Sequence, residues 1–258
     1  MKNLTPYNQN DLGSKEEYIL IIGAKSDIAR AVARKYAKEG YQLYLMARDS
    51  GSLGEFSSDL RIRFEVKVEC LDLDILDYNS HRNCYDSLKQ KPYGVFTAVG
   101  YLGEQEKAEK DIGESVRIIN TNFTGLVSFL NVVANDFEKR KSGFICGISS
   151  VAGDRGRKGN FIYGSAKAAF TTYLSGLRNR LYESGVHVMT VKPGFVATKM
   201  TEGLDLPKKL TATPQQVAND IYKAQKKRKN VVYTLWLWRW IMLLVRNIPE
   251  WQFKKMNI

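Results

Sequence analysis

The stretch Tyr18-Ile19-Leu20-Ile21-Ile22-Gly23-Ala24-Lys25-Ser26-Asp27-Ile28-Ala29 decides the fold. Its five apolar residues are too short a run for an ordinary helix and carry no polar alternation, so they read as a strand buried on both faces. Gly23 closes the strand. Over residues 26–40 the apolar positions Ile28, Val32, Ala33, Tyr36 and Ala37 recur with helical period, and Gly40 supplies the stop. The same alternation continues outward. Residues 41–47 read as strand, 61–73 contain another, 77–89 read as helix and 94–99 as strand. A long helix is predicted over 115–139, a strand over 143–148, a helix over 161–184 and a strand over 186–191. Thr213-Pro214-Gln215-Gln216 is a capping box with proline at the first helical position, opening a helix to about residue 226. Residues 231–235 supply a last strand. Strands alternating with helices of this length predict an α/β fold, a doubly wound parallel sheet of about seven strands with helices on both faces.

Composition agrees with one domain. The chain has 258 residues, 44% of them hydrophobic, enough to bury a full core and to exclude disordered and fibrous classes. Two histidines and three scattered cysteines (Cys70, Cys84, Cys146) are too few for a typical zinc site, so no metal is expected. The cysteines give no disulfide framework and suit a reducing, cytoplasmic setting. The first 20 residues are polar, with no signal-peptide pattern. No internal repeat or linker is visible. The expected organisation is a polar lead-in over 1–17, the α/β domain over 18–235, and a basic, aromatic, amphipathic tail over 236–258.

In a doubly wound sheet, ligands bind beyond the carboxyl ends of the strands, so the loops there are the places to look for chemistry. Gly23 with the small residues after it lets backbone amides approach a pyrophosphate, although a lone glycine equally suits a tight strand–helix turn. At the end of the second strand, Ala47-Arg48-Asp49 lies where the adenosine ribose of a dinucleotide would sit. The first charged residue is Arg48, which favours a 2′-phosphate, and Lys25 offers a second cation, so NADP(H) is preferred over NAD(H).

The third loop joins Ile148-Ser149-Ser150 to Tyr163-Gly164-Ser165-Ala166-Lys167. Tyr163 and Lys167, four apart, project from one helical face. A phenol with a pKa of about 10 is a poor proton donor or acceptor at neutral pH. An ammonium one turn away, helped by the positive charge of an oxidised nicotinamide, favours the tyrosinate and lowers that pKa toward a useful range. Ser150 can return from its strand end to bond the substrate oxygen. A Tyr-x-x-x-Lys spacing alone is common on helices, and its conjunction with the serine strand end and the glycine turn is what makes it specific.

On these residues the chain, from about Tyr18 to about Thr201, resembles the short-chain dehydrogenases/reductases, a family with a Rossmann-type fold. The resemblance implies that Tyr163 is the catalytic acid/base, that Lys167 lowers its pKa and binds the nicotinamide ribose, and that Ser150 polarises the carbonyl. Asn122, in Asn122-Phe123-Thr124-Gly125, matches an asparagine that holds a water for a proton relay. Asp74 matches a carboxylate on the adenine amino group. In Pro193-Gly194-Phe195-Val196-Ala197-Thr198, Val196 and Thr198 would face the carboxamide. Gly23, Lys25, Ser26, Asp27, Ile28, Arg48, Asp74, Ile75, Gly100, Pro193 and Gly194 complete the implied NADP(H) cleft together with Tyr163 and Lys167.

Two departures stand out. Asp27 and Ala29 replace the second and third glycines of the family's loop, and Asp27 is expected to turn from the phosphates and cap amides at the helix start. The family's Asn-Asn-Ala-Gly is here Thr97-Ala98-Val99-Gly100, so its polar bonding must be replaced. Together with Tyr101-Leu102-Gly103-Glu104-Gln105, the run from Ser150 to Arg155, Asn160-Phe161-Ile162-Tyr163 and the ending from Ile248 to Lys255, the chain looks like the branch that reduces decaprenylphosphoryl-2-keto-erythro-pentose. Implied partners are a small-molecule or lipid-linked sugar substrate and a second copy in a homodimer or homotetramer.

The formal charge is +12, and residues 223–258 hold nine basic residues against one acidic, so most of it lies in the tail. All four tryptophans, Trp236, Trp238, Trp240 and Trp251, are there too. The apolar run over 231–245 is shorter than the roughly 20 residues that span a bilayer. Aromatic residues beside basic ones suit an interfacial anchor on the cytoplasmic face of a membrane, whereas an edge strand with a tryptophan-lined dimer interface is the plainer reading. Nucleic acid is not expected, because the basic residues flank an apolar run rather than studding a polar face. A binding protein on a retired scaffold would not need the whole Ser150, Tyr163, Lys167 and Asn122 set. A sugar epimerase with a separate substrate domain would need more chain than the 64 residues after Gly194.

Overall fold

β1 (Tyr18–Ile22) has all five residues buried, as a strand covered on both faces requires. The structure is a computed structural model that describes residues 16–203 and 205–256; the lead-in up to residue 15 lies outside them. After β1 come α1 (Asp27–Lys38), β2 (Gln42–Ala47), α2 (Gly54–Phe64), β3 (Val68–Asp72), α3 (Ser80–Asp86), β4 (Gly94–Thr97), α4 (Gln105–Ala108), α5 (Ile112–Ile119) and α6 (Gly125–Arg140). The second half holds β5 (Phe144–Ile148), α7 (Phe161–Leu181), β6 (His187–Pro193), β7 (Phe195–Val196), β8 (Thr211–Ala212), α8 (Pro214–Lys226), β9 (Val231–Thr234), α9 (Leu237–Asn247) and α10 (Glu250–Phe253).

Seven strands pair in parallel in the order β3-β2-β1-β4-β5-β6-β9, the expected Rossmann-type sheet in one domain. The order reverses between β1 and β4, which opens a crevice at their carboxyl ends. Alternation along β1 feeds both sides of the sheet. Ile19 and Ile21 pack with Val32, Tyr36, Val217 and Ile221 of α1 and α8. Leu20 and Ile22 pack with Leu126, Phe129, Phe170 and Leu174 of α6 and α7. Each such side chain contributes about 1.5–3 kcal/mol on burial.

Local signals set the helix starts. Ser26 Oγ accepts from Ala29 N at 3.1 Å, and the Thr213–Gln216 capping box forms in both directions. Several boundaries differ from the sequence reading. Residues 54–64 form α2, whose apolar period is too weak to stand out, and β3 occupies only the last part of 61–73. The helix expected over 77–89 is confined to Ser80–Asp86. The long helix expected over 115–139 begins at Ile112 and is interrupted by a π-helical turn at Asn120–Thr124. Such a turn inserts an extra residue and re-aims its neighbours, here Asn122.

The tail is bolted to the strand ends. Trp238 and Met242 of α9 bury against Val151, and Arg155 fastens the end of the helix. Arg155 Nη1 donates to Val245 O and Ile248 O at 2.6 Å each, and Nη2 to Glu250 Oε2 at 2.8 Å. Its guanidinium lies 3.6 Å from the Phe253 ring centroid. Among the described residues, no helix is long and apolar enough to cross a membrane.

Candidate active site

Ser150 leaves β5 in extended conformation, and its Oγ accepts from Ala152 N at 3.1 Å. The neighbouring Ser149 pins α7 to this strand end: its hydroxyl donates to Lys167 O at 2.9 Å and shares a 2.7 Å hydrogen bond with Thr171 Oγ1. The contact is made backbone to backbone. A Cβ at Gly164 would lie 2.8 Å from Ala152 O, and one at Gly153 would lie 2.7 Å from Ala168 N. This is why the segment between Tyr163 and Lys167 needs small residues. The result brings Ser150, Tyr163 and Lys167 to a cavity of about 350 Å³ that Ser26, Asp27, Ile28 and Gly100 also line.

Lys167 is 2% exposed. Its Nζ donates to Ile148 O at 3.2 Å and lies 5.7 Å from the Tyr163 ring centroid. Burial pulls the ammonium down to about 8. Burial also pushes the Tyr163 phenol up to about 12, against an opposing pull from the Ser150 hydrogen bond. The lowering expected of Lys167 together with an oxidised nicotinamide has this burial of the phenol to overcome. Desolvation outweighs an ammonium that is one turn away and not bonded to the phenol oxygen.

Asn122 is fully buried. Its Nδ2 donates to Tyr101 O at 2.6 Å and Ile118 O at 2.8 Å, while Oδ1 accepts from Tyr101 N at 3.2 Å. The side chain thus clasps the loop after β4 and supplies the polar bonding that Thr97-Ala98-Val99-Gly100 lacks. Thr97 does not supply it, since its Oγ1 is buried without a hydrogen-bond partner.

The adenosine side forms a second, adjoining cavity of about 260 Å³, lined by Gly23, Lys25, Arg48, Asp74, Ile75 and Gly100 among others. Gly23 has φ +80°, and a Cβ there would meet Val99 N at 2.8 Å, so only glycine fits this turn. Arg48 is exposed at the rim and, among the described residues, pairs with no carboxylate. Lys25 is not the free second cation expected of it, because Asp49 holds its Nζ at 3.0 Å. Asp74 Oδ1 accepts from Leu76 N at 2.9 Å, which fixes the carboxylate and leaves its other oxygen available. The donor set suits an anionic dinucleotide. Lys167 spends one of its three N–H groups on the protein, whereas the amides of Gly23 and Ala24 both donate to Met46 O and that of Ser26 to Gly23 O, so a phosphate would be met by the first-turn amides of α1 rather than by the Gly23 turn itself.

Asp27 does not cap α1, a role that Ser26 takes. Its Oδ2 accepts from Lys199 N at 2.9 Å, reaching across the cleft to the segment after β7. Thr198 and Thr201 form their own capping box there. Pro193, Gly194 and Val196 line the large cavity as expected. The chain reading missed what covers them. Trp238 packs on Gly194 so closely that a Cβ would lie 2.0 Å from the indole, and its Nε1 donates to Leu210 O at 3.0 Å. Arg157 and Asn160 line the cavity as well. Arg157 had no signal beyond its position between the serine and the tyrosine, and Asn160 entered only as the start of the run to Tyr163.

Comparison with known proteins agrees with this geometry. Residues 17–209 match the family described as short chain dehydrogenase. An uncharacterized oxidoreductase of Mycobacterium tuberculosis is 34% identical over 241 residues, 92% of this chain and 96% of that protein. An NADP-dependent 3-hydroxy acid dehydrogenase of Schizosaccharomyces pombe is 29% identical over 83% of this chain and 88% of its own. Among solved structures, a short-chain dehydrogenase from Sphingobium yanoikuyae in complex with NADPH superposes with a TM-score of 0.79 at 25% identity, covering 91% of this chain and 97% of that one.

Proposed function

Because the chain belongs to the short-chain dehydrogenase family, we propose that it is an NADPH-dependent reductase of a ketone in which Tyr163 supplies the proton. The NADP of the Schizosaccharomyces relative and the NADPH of the Sphingobium structure support the cofactor choice, as does the unpaired Arg48 at the ribose end. NADPH, when bound, supplies the hydride that reaches the carbonyl carbon. Ser150 and Tyr163 hydrogen-bond the carbonyl oxygen, and Tyr163 Oη gives it the proton. A phenol raised to about 12 is fully protonated at neutral pH, the state a donor needs. Lys167, charged below about 8, stabilises the phenoxide left behind. Asn122 has spent both Nδ2 hydrogens on the protein, so its part in returning a proton is to accept a water's hydrogen at Oδ1.

The observation that carries this reading is the meeting of Ser150, Tyr163 and Lys167 in one cavity with Ser26 and Gly100. Tyr163→Phe tests it. Turnover is expected to fall by about 10²–10⁴-fold with NADPH binding nearly unchanged, and a variant that keeps its rate would overturn the assignment.

The finer reading is a keto-sugar carried on a polyprenyl phosphate. Its support is the resemblance of Ser150 to Arg155 and Ile248 to Lys255 to that branch, together with the outer face of α9. Trp236, Trp240, Leu243 and Leu244 recur there at helical spacing and are exposed, with Arg239, Arg246, Lys254 and Lys255 close by in the chain. A lipid-linked substrate would keep its chain in the membrane on which this face rests. Flotation with acidic liposomes tests the contact: the protein should rise with the vesicles, and a Trp240→Glu/Leu244→Glu variant should stay behind. Equal behaviour of the two removes the membrane from the reading.

A further inference from the structure

Behind the Ser150 turn lies a buried charged pair that the carbonyl chemistry does not use. Asp154 ends the turn that Ser150 begins. Gly153 N donates to Ser150 O and Asp154 N to Val151 O, both at 3.1 Å, while Ser150 Oγ accepts from Ala152 N. The Asp154 carboxylate then reaches to the sheet. One oxygen accepts from the Lys192 ammonium, and the other accepts from the Tyr233 hydroxyl at 2.8 Å. The Lys192 and Asp154 side chains are 9% and 2% exposed. Lys192 and Tyr233 are register partners in the parallel pairing of β6 with β9, so one carboxylate ties the turn to both strands.

Fastening the strands does not call for this pair, since β6 and β9 are already joined backbone to backbone from Thr190–Val231 to Pro193–Thr234. Removing two ions from water offsets much of their attraction, and apolar side chains of similar volume often replace a buried pair without loss of stability. What they do not reproduce is direction, because a carboxylate held by a charged donor and a hydroxyl accepts few geometries. The residues that gain from that direction flank the reacting groups. Lys192 precedes Pro193 and Gly194, which share the cavity with Ser150, and Ser150 is in turn hydrogen-bonded to Tyr163. Asp154, Lys192 and Tyr233 themselves line neither this cavity nor the adenosine one.

We infer that Asp154 is a positioning residue, whose bonds to Lys192 and Tyr233 hold the turn in the conformation that keeps Ser150 Oγ within reach of the substrate carbonyl. The inference rests on the reading of Ser150 and Tyr163 as a ketone-reducing pair and names what sets their spacing. Asp154 touches neither substrate nor cofactor, so its loss acts on kcat and leaves cofactor binding alone.

The test replaces both charges at once in the full-length protein, Lys192→Met/Asp154→Leu, which keeps the volume and strands neither ion. Tm should stay near that of the wild type. NADPH-dependent reduction of acetone, cyclohexanone, ethyl acetoacetate and dihydroxyacetone should lose about 10–100-fold in kcat, the cost of misplacing a reacting group by about 1 Å, with KM for NADPH unchanged. Hydrogen exchange without any ligand should quicken over residues 150–154 and stay as in the wild type over β6 and β9. A double variant that keeps the wild-type kcat overturns the inference. So does exchange that quickens along β6 and β9 as much as in the turn, the mark of a pair that only fastens the sheet. If the double variant does not fold, Tyr233→Phe decides. Loss of its single bond should lower kcat about two- to fivefold at unchanged KM for NADPH, and an unchanged kcat overturns the inference. If wild type reduces none of these ketones while exchange still quickens in the turn alone, the role of Asp154 in placing Ser150 stands and the reductase reading falls.

Discussion

The two ends of the cleft are built differently. At the adenosine end the functional groups are exposed and local: Arg48 and Asp74 stand at strand ends, and Lys25 is held by an exposed pair with Asp49. At the reacting end they are buried and assembled from afar. Lys167 and Asn122 are closed to solvent, and the walls of the cavity come from the loop after Ser150, from Pro193 to Val196 and from the Lys199 segment. An exposed charge titrates and pairs much as in water, while a buried one is governed by desolvation. Changes at the reacting end should therefore act strongly and together, and changes at the adenosine end weakly and one at a time.

The largest expected contrast is in pH. Lys167 has a folded pKa of about 8, below the ordinary value of 10.5, so its ammonium is present below about 8 and lost above it. Ketone reduction, read as kcat/KM, should fall about tenfold per pH unit above 8, with Tyr163 still protonated. This loss should not come from unfolding through the same group. Between about 8 and 10.5 the unfolded chain holds the proton and the folded chain does not, so this contribution to stability rises with pH. A flat profile to pH 10 would show that the charged form is not needed.

At the other end, Arg48→Ser should raise KM for NADPH by about 10–100-fold and leave NADH nearly unaffected, the loss of a charged hydrogen bond. Equal effects on the two cofactors would place the 2′-phosphate elsewhere. A smaller effect separates the ends by packing. Gly194→Ala puts a methyl where the Trp238 indole lies and should cost about 1–3 kcal/mol, lowering Tm by roughly 2–4 °C per kcal/mol in a chain of this size. The same change made together with Trp238→Leu should cost less than the two apart.

This division also marks what could be read from the chain. The Gly23 turn, the Tyr163–Lys167 pair and the strand ends are local patterns whose spacing carries their meaning, and each sits where the periodicity put it. Arg157 had no such pattern: that it lines the cavity shows only once the loop after Ser150 is folded against Met242. Asp27 was misread for the same reason. Its position at a helix start suggested a cap, but Ser26 already filled that role, and a backbone amide 172 residues away took the carboxylate. The pKa of Tyr163 followed suit, since spacing supplied the cation but not the burial that opposes it. The tail's composition showed one polarised segment, and only the packed helix divides it into Trp238 and Met242 inside and Trp240 and Leu244 outside.

The smallest expected effect bears most directly on the adenosine end. If its groups act independently, Lys25 is available to the cofactor only to the extent that Asp49 releases it. The pair is 3.0 Å apart with both side chains largely exposed, so it contributes little to stability, and Asp49→Asn should leave Tm unchanged. The freed ammonium should then tighten NADPH relative to NADH by no more than about fivefold. No change would mean that Lys25 does not reach the 2′-phosphate even when free. A loss of affinity for both cofactors would mean instead that the Asp49 carboxylate, in its left-handed turn at φ 51°, itself holds a ribose hydroxyl, and that this end too works as a coupled unit.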